Sequence, residues 1–161
     1  MKKLGSRGPA GAAAVYSRGV IWVLRHGEAE EGSPDAERRL TAKGERQADD
    51  AGRALKRLGV ALEACLASPR VRALETARRA CAPLGLEPVH EESLSGGPID
   101  ARAIAAGFEE VLLVGHDPDL STAVRELTGA QVRLPKGGLA GVDRGELGVL
   151  LRPSELQAIA G

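Results

Sequence analysis

Val20-Ile21-Trp22-Val23-Leu24-Arg25-His26-Gly27-Glu28 runs from an apolar stretch straight into a charged turn, and Val111-Leu112-Leu113-Val114-Gly115-His116-Asp117-Pro118 repeats the phrase. A short apolar run bounded by turn residues reads as a buried strand. Ligands of open α/β sheets sit at the carboxyl ends of the strands. The two phrases therefore predict that two of the chain's three histidines, His26 and His116, and the adjacent Arg25 reach one edge of a sheet. An arginine fork beside an imidazole suits phosphate, whose oxygens a guanidinium grips in pairs.

Around these strands, helix and strand signals alternate. Thr41 reads as the N-cap of a helix reaching to about Leu58, with Ala48, Ala51, Leu55 and Leu58 on its core face and Gly59 ending it. Cys65-Leu66-Ala67 is a short buried strand, and Ser68-Pro69 opens a second helix with the proline at its first position. Val71, Leu74, Ala77 and Cys81 form the apolar stripe of that helix. Glu87-Pro88-Val89 reads as a weak edge strand. Residues 100–106 and 120–127 read as helices, the latter ended by Gly129. Val132–Leu134, Leu139–Val142 and Leu147–Leu151 read as late strands, the last two a hairpin around Asp143-Arg144-Gly145, and residues 153–160 as a closing helix. This alternation predicts an α/β fold of three layers, α/β/α, with a mainly parallel central sheet.

The 161 residues suffice for one domain, read here over residues 19–161, with residues 1–18 as a flexible N-terminal extension. Formal net charge is zero, which argues against a nucleic-acid or membrane binder. Aromatic residues are 2% (Tyr16, Trp22 and Phe108), too few for base stacking. Cys65 and Cys81 have neither metal-ligand nor disulfide-framework spacing and read as buried thiols of a cytoplasmic protein. No stretch approaches a membrane span. Balanced charge and few aromatics make a monomer the default.

Four ordered motifs carry a resemblance. Arg25-His26-Gly27 at a strand end, Leu40-Thr41 with Gly44 and Gln47-Ala48, Ser68-Pro69-Arg70-Val71-Arg72-Ala73 with Thr76-Ala77, and Gly115-His116-Asp117-Pro118 together resemble the histidine phosphatase superfamily, which includes the phosphoglycerate mutases. The small size and the Asp35–Thr41 stretch, with Arg38 before Leu40-Thr41, look most like its SixA branch of phosphohistidine phosphatases. The resemblance implies a phosphoglycerate mutase-like fold and a phosphatase that passes the phosphoryl group through a phosphohistidine, without metal or cofactor. His26 would be the nucleophile, with Arg25, Arg72 and His116 around the phosphate. A neutral imidazole attacks with one nitrogen, so the other must be held as a donor. Phosphoryl transfer is mostly positioning and charge stabilisation, the part that suits the arginines.

Other readings of single residues are blander. Arg70 reads as solvated, His90 as surface, Thr41 as a cap and not a ligand, and Arg38 as either pocket rim or surface. A zinc site from His26, His116 and Asp117 lacks paired ligand spacing. The resemblance also fails at one place. Many members carry an acid in a Leu-x-Glu phrase, and here Leu94 is followed at the matching position by Gly96. Glu92 and Asp100 are nearby substitutes, Glu91 is a third, and Asp117 is another acid beside the second histidine. A missing acid favours a labile donor such as phosphohistidine over an alcohol ester. Short segments at the cap positions, 27–40 and 90–110, imply an open site suited to a phosphorylated protein. The alternatives are a small-metabolite phosphomonoesterase and a non-catalytic phosphoryl-binding module.

Overall fold

In the computed structural model, which describes residues 19–161, six strands form one sheet in the order β3-β2-β4-β1-β5-β6. The extension read over residues 1–18 lies outside the described residues. The strands are β1 (Val20–Arg25), β2 (Ala64–Ala67), β3 (Val89–His90), β4 (Glu110–Gly115), β5 (Leu139–Asp143) and β6 (Glu146–Leu151). The first four are parallel neighbours, β5 runs antiparallel to β1, and β6 antiparallel to β5. Arg144 and Gly145 both have positive φ, 52° and 81°, the backbone that a two-residue hairpin turn demands.

Helices α1 (Ala42–Arg57), α2 (Val71–Cys81), α3 (Ala101–Ala105), α4 (Asp119–Thr128) and α5 (Pro153–Ala160) complete the layers. Side chains alternate across β1, as they must in a strand. Trp22 and Leu24 pack with Ala51, Leu55, Ala77 and Leu156 of α1, α2 and α5, while Ile21 and Val23 pack with Leu120, Ala123 and Ala105 of α4 and α3. Both faces are therefore covered, as the three-layer reading expects.

Several local expectations need correction. Helix α2 begins at Val71, not at Pro69: Arg70 is the extended N-cap, and its N–H donates to the Ser68 hydroxyl in a turn that precedes the helix. Its buried face carries Arg72 and Thr76, while Val71 and Leu74 are only half-buried, because the first turns of α2 face the strand ends and not the core alone. Leu58, the C-cap of α1, is exposed. Val132–Leu134 is not a strand: the Leu134 N–H donates to Ser121 Oγ and its carbonyl accepts from Arg25, so side chains take the place of a ladder.

The turn after β1 lies backbone against backbone on the start of α1. A Cβ at Gly27 would meet the Gly44 carbonyl oxygen at 2.6 Å, and one at Gly44 would meet the Glu28 carbonyl oxygen at 2.0 Å. In an ordinary helix a Gly→Ala change stabilises by about 1 kcal/mol. Here the added methyl has only backbone to push, so overpacking of roughly 1–3 kcal/mol or more reverses the sign. Gly44→Ala is expected to lower the melting temperature by about 5 °C, read by thermal unfolding, at roughly 2–4 °C per kcal/mol for a domain of this size.

Candidate active site

Parallel pairing of β1 and β4 sets Arg25 opposite Gly115, so His26 and His116 leave adjacent strand ends together. The His26 N–H donates to the Gly115 carbonyl (3.0 Å), and the Ser68 N–H, just past β2, donates to that of Val114 (3.0 Å). The two imidazoles are buried with ring centroids 5.2 Å apart and planes tilted by 57°.

His26 Nδ1 lies 2.7 Å from the Gly27 carbonyl oxygen. A carbonyl only accepts, so Nδ1 carries the proton and the lone pair is on Nε2. Burial pushes the His26 imidazole down from its ordinary 6.5 to about 4; the Gly27 bond opposes this, and the charges of Arg72, Arg25 and Lys136 add to it. Burial likewise pushes His116 down to about 3, helped by His26, Arg72 and Arg70 and opposed by Asp35. His116 Nε2 is 2.8 Å from Ser68 Oγ, and its Nδ1 is buried with no partner. In the tautomer protonated on Nδ1, Ser68 donates to Nε2 and a free N–H remains.

Arg72 is buried on the first turn of α2. Its Nη1 donates to the Asp35 carbonyl (2.8 Å), its Nη2 to Asp35 Oδ2 (3.1 Å), and its Nε is buried and unpartnered. Arg25 continues the Ile21–Val23 face of β1; its Nη1 donates to the Leu134 carbonyl (2.9 Å), while its Nε is likewise buried and unpartnered. Three buried donor-capable nitrogens, on Arg25, Arg72 and His116, thus lack an acceptor. Burying such groups unpaired is costly, and an anion bound between these side chains would offer them acceptor oxygens.

The remaining motif residues build the cradle. Thr76 Oγ1 donates to the Arg72 carbonyl (2.7 Å) and accepts from the Gly27 N–H (3.1 Å), tying Arg72 to the loop after His26. Gln47 Oε1 accepts from the Glu28 N–H (2.9 Å). Thr41 caps α1 through the Gly44 N–H (3.0 Å). Lone reading of these residues missed Thr76, Gln47 and Ser68 as parts of the site, although their motif positions marked them.

The candidate acids are mostly engaged elsewhere. Asp117 accepts from the N–H and hydroxyl of Ser121, Asp100 caps α3 through the Ala103 N–H, and Glu91 holds Ser93. Glu92 is exposed, and no hydrogen bond or ion pair joins it to the histidines or arginines. At Gly96 a Cβ would lie 3.8 Å from Arg70 Nη2, but φ is 153°, a backbone that L residues rarely adopt. Arg70, read as solvated, instead donates to the Ser95 carbonyl (2.7 Å) and pairs with Asp35. Arg38 binds Asp35 Oδ1 (2.9 Å) and the Glu30 carbonyl (2.7 Å) at the rim. Among the described residues no group of three or more His, Cys, Asp and Glu is placed to hold a metal ion, and no helix is long and apolar enough to cross a membrane.

Residues 21–96 match the histidine phosphatase superfamily (branch 1). An uncharacterised protein of Picosynechococcus sp. is 34% identical over 140 residues, covering 78% of this chain and 85% of its own. The fold is shared with a protein assigned as the phosphohistidine phosphatase SixA of Agrobacterium tumefaciens (TM-score 0.74, 21% identity, 83% of this chain and 98% of that one). It is shared also with the protein histidine phosphatase SixA complexed with tungstate (0.72, 23%, 85% and 99%) and the alpha-ribazole phosphatase of Shigella flexneri (0.66, 21%, 83% and 96%). The chain belongs to the histidine phosphatase superfamily, with the phosphoglycerate mutase-like fold of these phosphatases.

Unfolded histidines titrate near 6.5. Below that pH the unfolded chain takes up protons that buried His26 and His116 refuse, so stability falls as the pH drops from about 6.5 towards 4. A ring-carbon NMR titration is expected to show both imidazoles neutral down to below pH 5, and a midpoint near 6.5 for His26 would contradict its burial as a neutral imidazole.

Proposed function

We propose that the protein is a phosphatase that hydrolyses phosphohistidine on protein substrates through a phosphohistidine of its own at His26. The observation that carries this reading is the free Nε2 lone pair on His26, set by the Nδ1–H bond to Gly27, in a site where Arg25, Arg72 and His116 each keep a buried, unsatisfied nitrogen.

Nε2 of His26 attacks phosphorus, and the bond to the leaving group breaks. Negative charge on the equatorial oxygens meets Arg72, Arg25 and the His116 N–H. The guanidinium charge does the work that a metal ion does in other phosphatases, so the reaction as proposed is metal-independent. Water then attacks the phosphoenzyme, the P–Nε2 bond breaks, and inorganic phosphate leaves with the imidazole neutral again. Gly27 holds Nδ1 throughout, which fixes the ring for both steps.

Leaving-group chemistry selects the substrate class. An alkoxide needs a proton as it departs. Gly96 supplies none, Glu91, Asp100 and Asp117 are occupied elsewhere, and Glu92 is exposed with no hydrogen bond or ion pair to the histidines or arginines. A phosphoimidazole that carries a proton on its other ring nitrogen breaks a weaker P–N bond and leaves as neutral imidazole, with no proton needed from the protein. A groove of about 650 Å³ lies beside the loop after His26, lined by Glu28, Lys43, Arg46, Asp50 and Lys136 and not by His26, Arg25, Arg72 or His116.

Three measurements test the reading. Incubation with a labelled phosphodonor is expected to give an acid-labile phosphoenzyme in the wild type and none in His26→Ala, with phosphorus NMR placing the group on Nε2; label on Nδ1 would contradict the Gly27 bond. Phosphohistidine peptide is expected to turn over faster than phosphoserine peptide or small phosphoesters. The reverse order would favour the metabolite phosphatase, and binding without turnover by the wild type would favour a phosphoryl-binding module. Arg72→Ala is expected to lower kcat/KM about 10²–10³-fold, the scale for losing a donor to developing charge.

A further inference from the structure

The segment between the nucleophile loop and α1 is tied at its neck and reaches over the site at its tip. Ala29 bridges Leu40, the Glu30 N–H donates to the Arg39 carbonyl (2.8 Å), and the Thr41 N–H to that of Glu28 (3.0 Å). The neck is also fixed to α2, because Glu75 accepts from the Leu40 N–H (3.0 Å) and pairs with Arg39 (2.8 Å). The tip is a single 3₁₀ turn, Asp35–Glu37, with no buried side chain. A turn with nothing to bury is held by its polar contacts, and those converge on Asp35.

We propose that Asp35 is the positioning residue of the phosphate clamp: its carbonyl and carboxylate hold the outer end of the Arg72 guanidinium and draw Arg70 alongside, so that the Nε edge of Arg72 is presented to the phosphoryl group. The inference rests on the phosphatase reading above. Nη1 and Nη2 of Arg72 go to the Asp35 carbonyl and to Oδ2, the two ends of one fork. Nε is left buried and free, and Nη2 keeps its second hydrogen on the same side. That pair of parallel N–H groups is the edge that grips two oxygens of a phosphate. Oδ2 also accepts from Arg70 Nη1, while the Arg70 Nε is pinned to the Ser95 carbonyl (2.7 Å). Oδ1 accepts from Arg38, which is anchored on the Glu30 carbonyl. Asp35 thus receives three guanidinium groups and orients them from one point.

Two other roles fit the geometry less well. A general acid needs a proton to give, but the hydrogen bonds from Arg38 and then Arg72 hold the Asp35 carboxyl down to about 2, so it stays ionised. A competitor for the phosphate would cover the Nε edge, and that edge is unpartnered.

The test compares wild type with Asp35→Ala, Asp35→Asn and Asp35→Glu, and repeats Asp35→Ala in an Arg72→Lys background. The readouts are the affinity for inorganic phosphate by calorimetry, kcat and KM on p-nitrophenyl phosphate, and the melting temperature. A clamp left unoriented is expected to bind phosphate about tenfold more weakly in Asp35→Ala, as for other losses of a ligand-orienting group. KM rises with it and kcat changes less. Asp35→Asn, which keeps an acceptor oxygen, recovers part of the loss, and Asp35→Glu does not recover it if the backbone spacing sets the fork. In the Arg72→Lys background the alanine change is expected to add nothing further, because the effect runs through the fork. Unchanged or tighter phosphate binding in Asp35→Ala, at an unaltered melting temperature, overturns the positioning role and leaves the phosphatase reading standing. A wild type that neither binds phosphate nor turns over p-nitrophenyl phosphate overturns both.

Discussion

The close approach of the Gly27–Glu28 backbone to Gly44 is the constraint on which the site depends. No side chain fits at either glycine. With that gap closed, the Gly27 carbonyl sits under His26 Nδ1, the Gly27 N–H meets Thr76, and the Glu28 N–H meets Gln47. The start of α1, the middle of α2 and the end of β1 are thereby locked together by main-chain N–H groups of the turn and the side chains of Thr76 and Gln47. The lock fixes the tautomer of His26, and the tautomer decides which nitrogen is free for the proposed attack on phosphorus.

Electrostatics follow from the same burial. Removing two imidazoles from water beside several guanidinium groups keeps both neutral, and a neutral imidazole is what nucleophilic attack requires. The positive charge is kept instead by arginine, which does not titrate in the working range. The proposed nucleophile, His26, and the guanidinium groups of Arg25 and Arg72 can therefore share one site without competing for protons. Asp35, at the rim, offsets part of that charge while the site is empty, and it holds the clamp from the solvent side.

Much of this was legible in the residues. The β1 and β4 phrases, the Thr41 cap, the Gly59 and Gly129 stops and the Asp143–Gly145 hairpin all lie where local pattern places them, because each depends on near neighbours in the chain. The misreadings share a cause. Leu58 fits the helical stripe by spacing, yet the chain turns away at Gly59 and leaves it exposed. Val132–Leu134 has a strand's composition, but Ser121 and Arg25 claim its backbone groups before any strand can. Arg70 looked solvated because Arg72 matched the motif, while its partners, Asp35 and Ser95, are far away in sequence.

The sequence by itself determined the element order, the two histidines at strand ends and the superfamily, since short apolar runs, caps and ordered motifs are local signals. Only the tertiary structure decided which nitrogen of His26 is free, which candidate acids are already engaged, and that Asp35 meets Arg70 and Arg72. Those outcomes depend on hydrogen bonds and ion pairs between segments brought together by strand pairing and helix packing, and spacing along the chain carries no record of which acceptor a donor will meet.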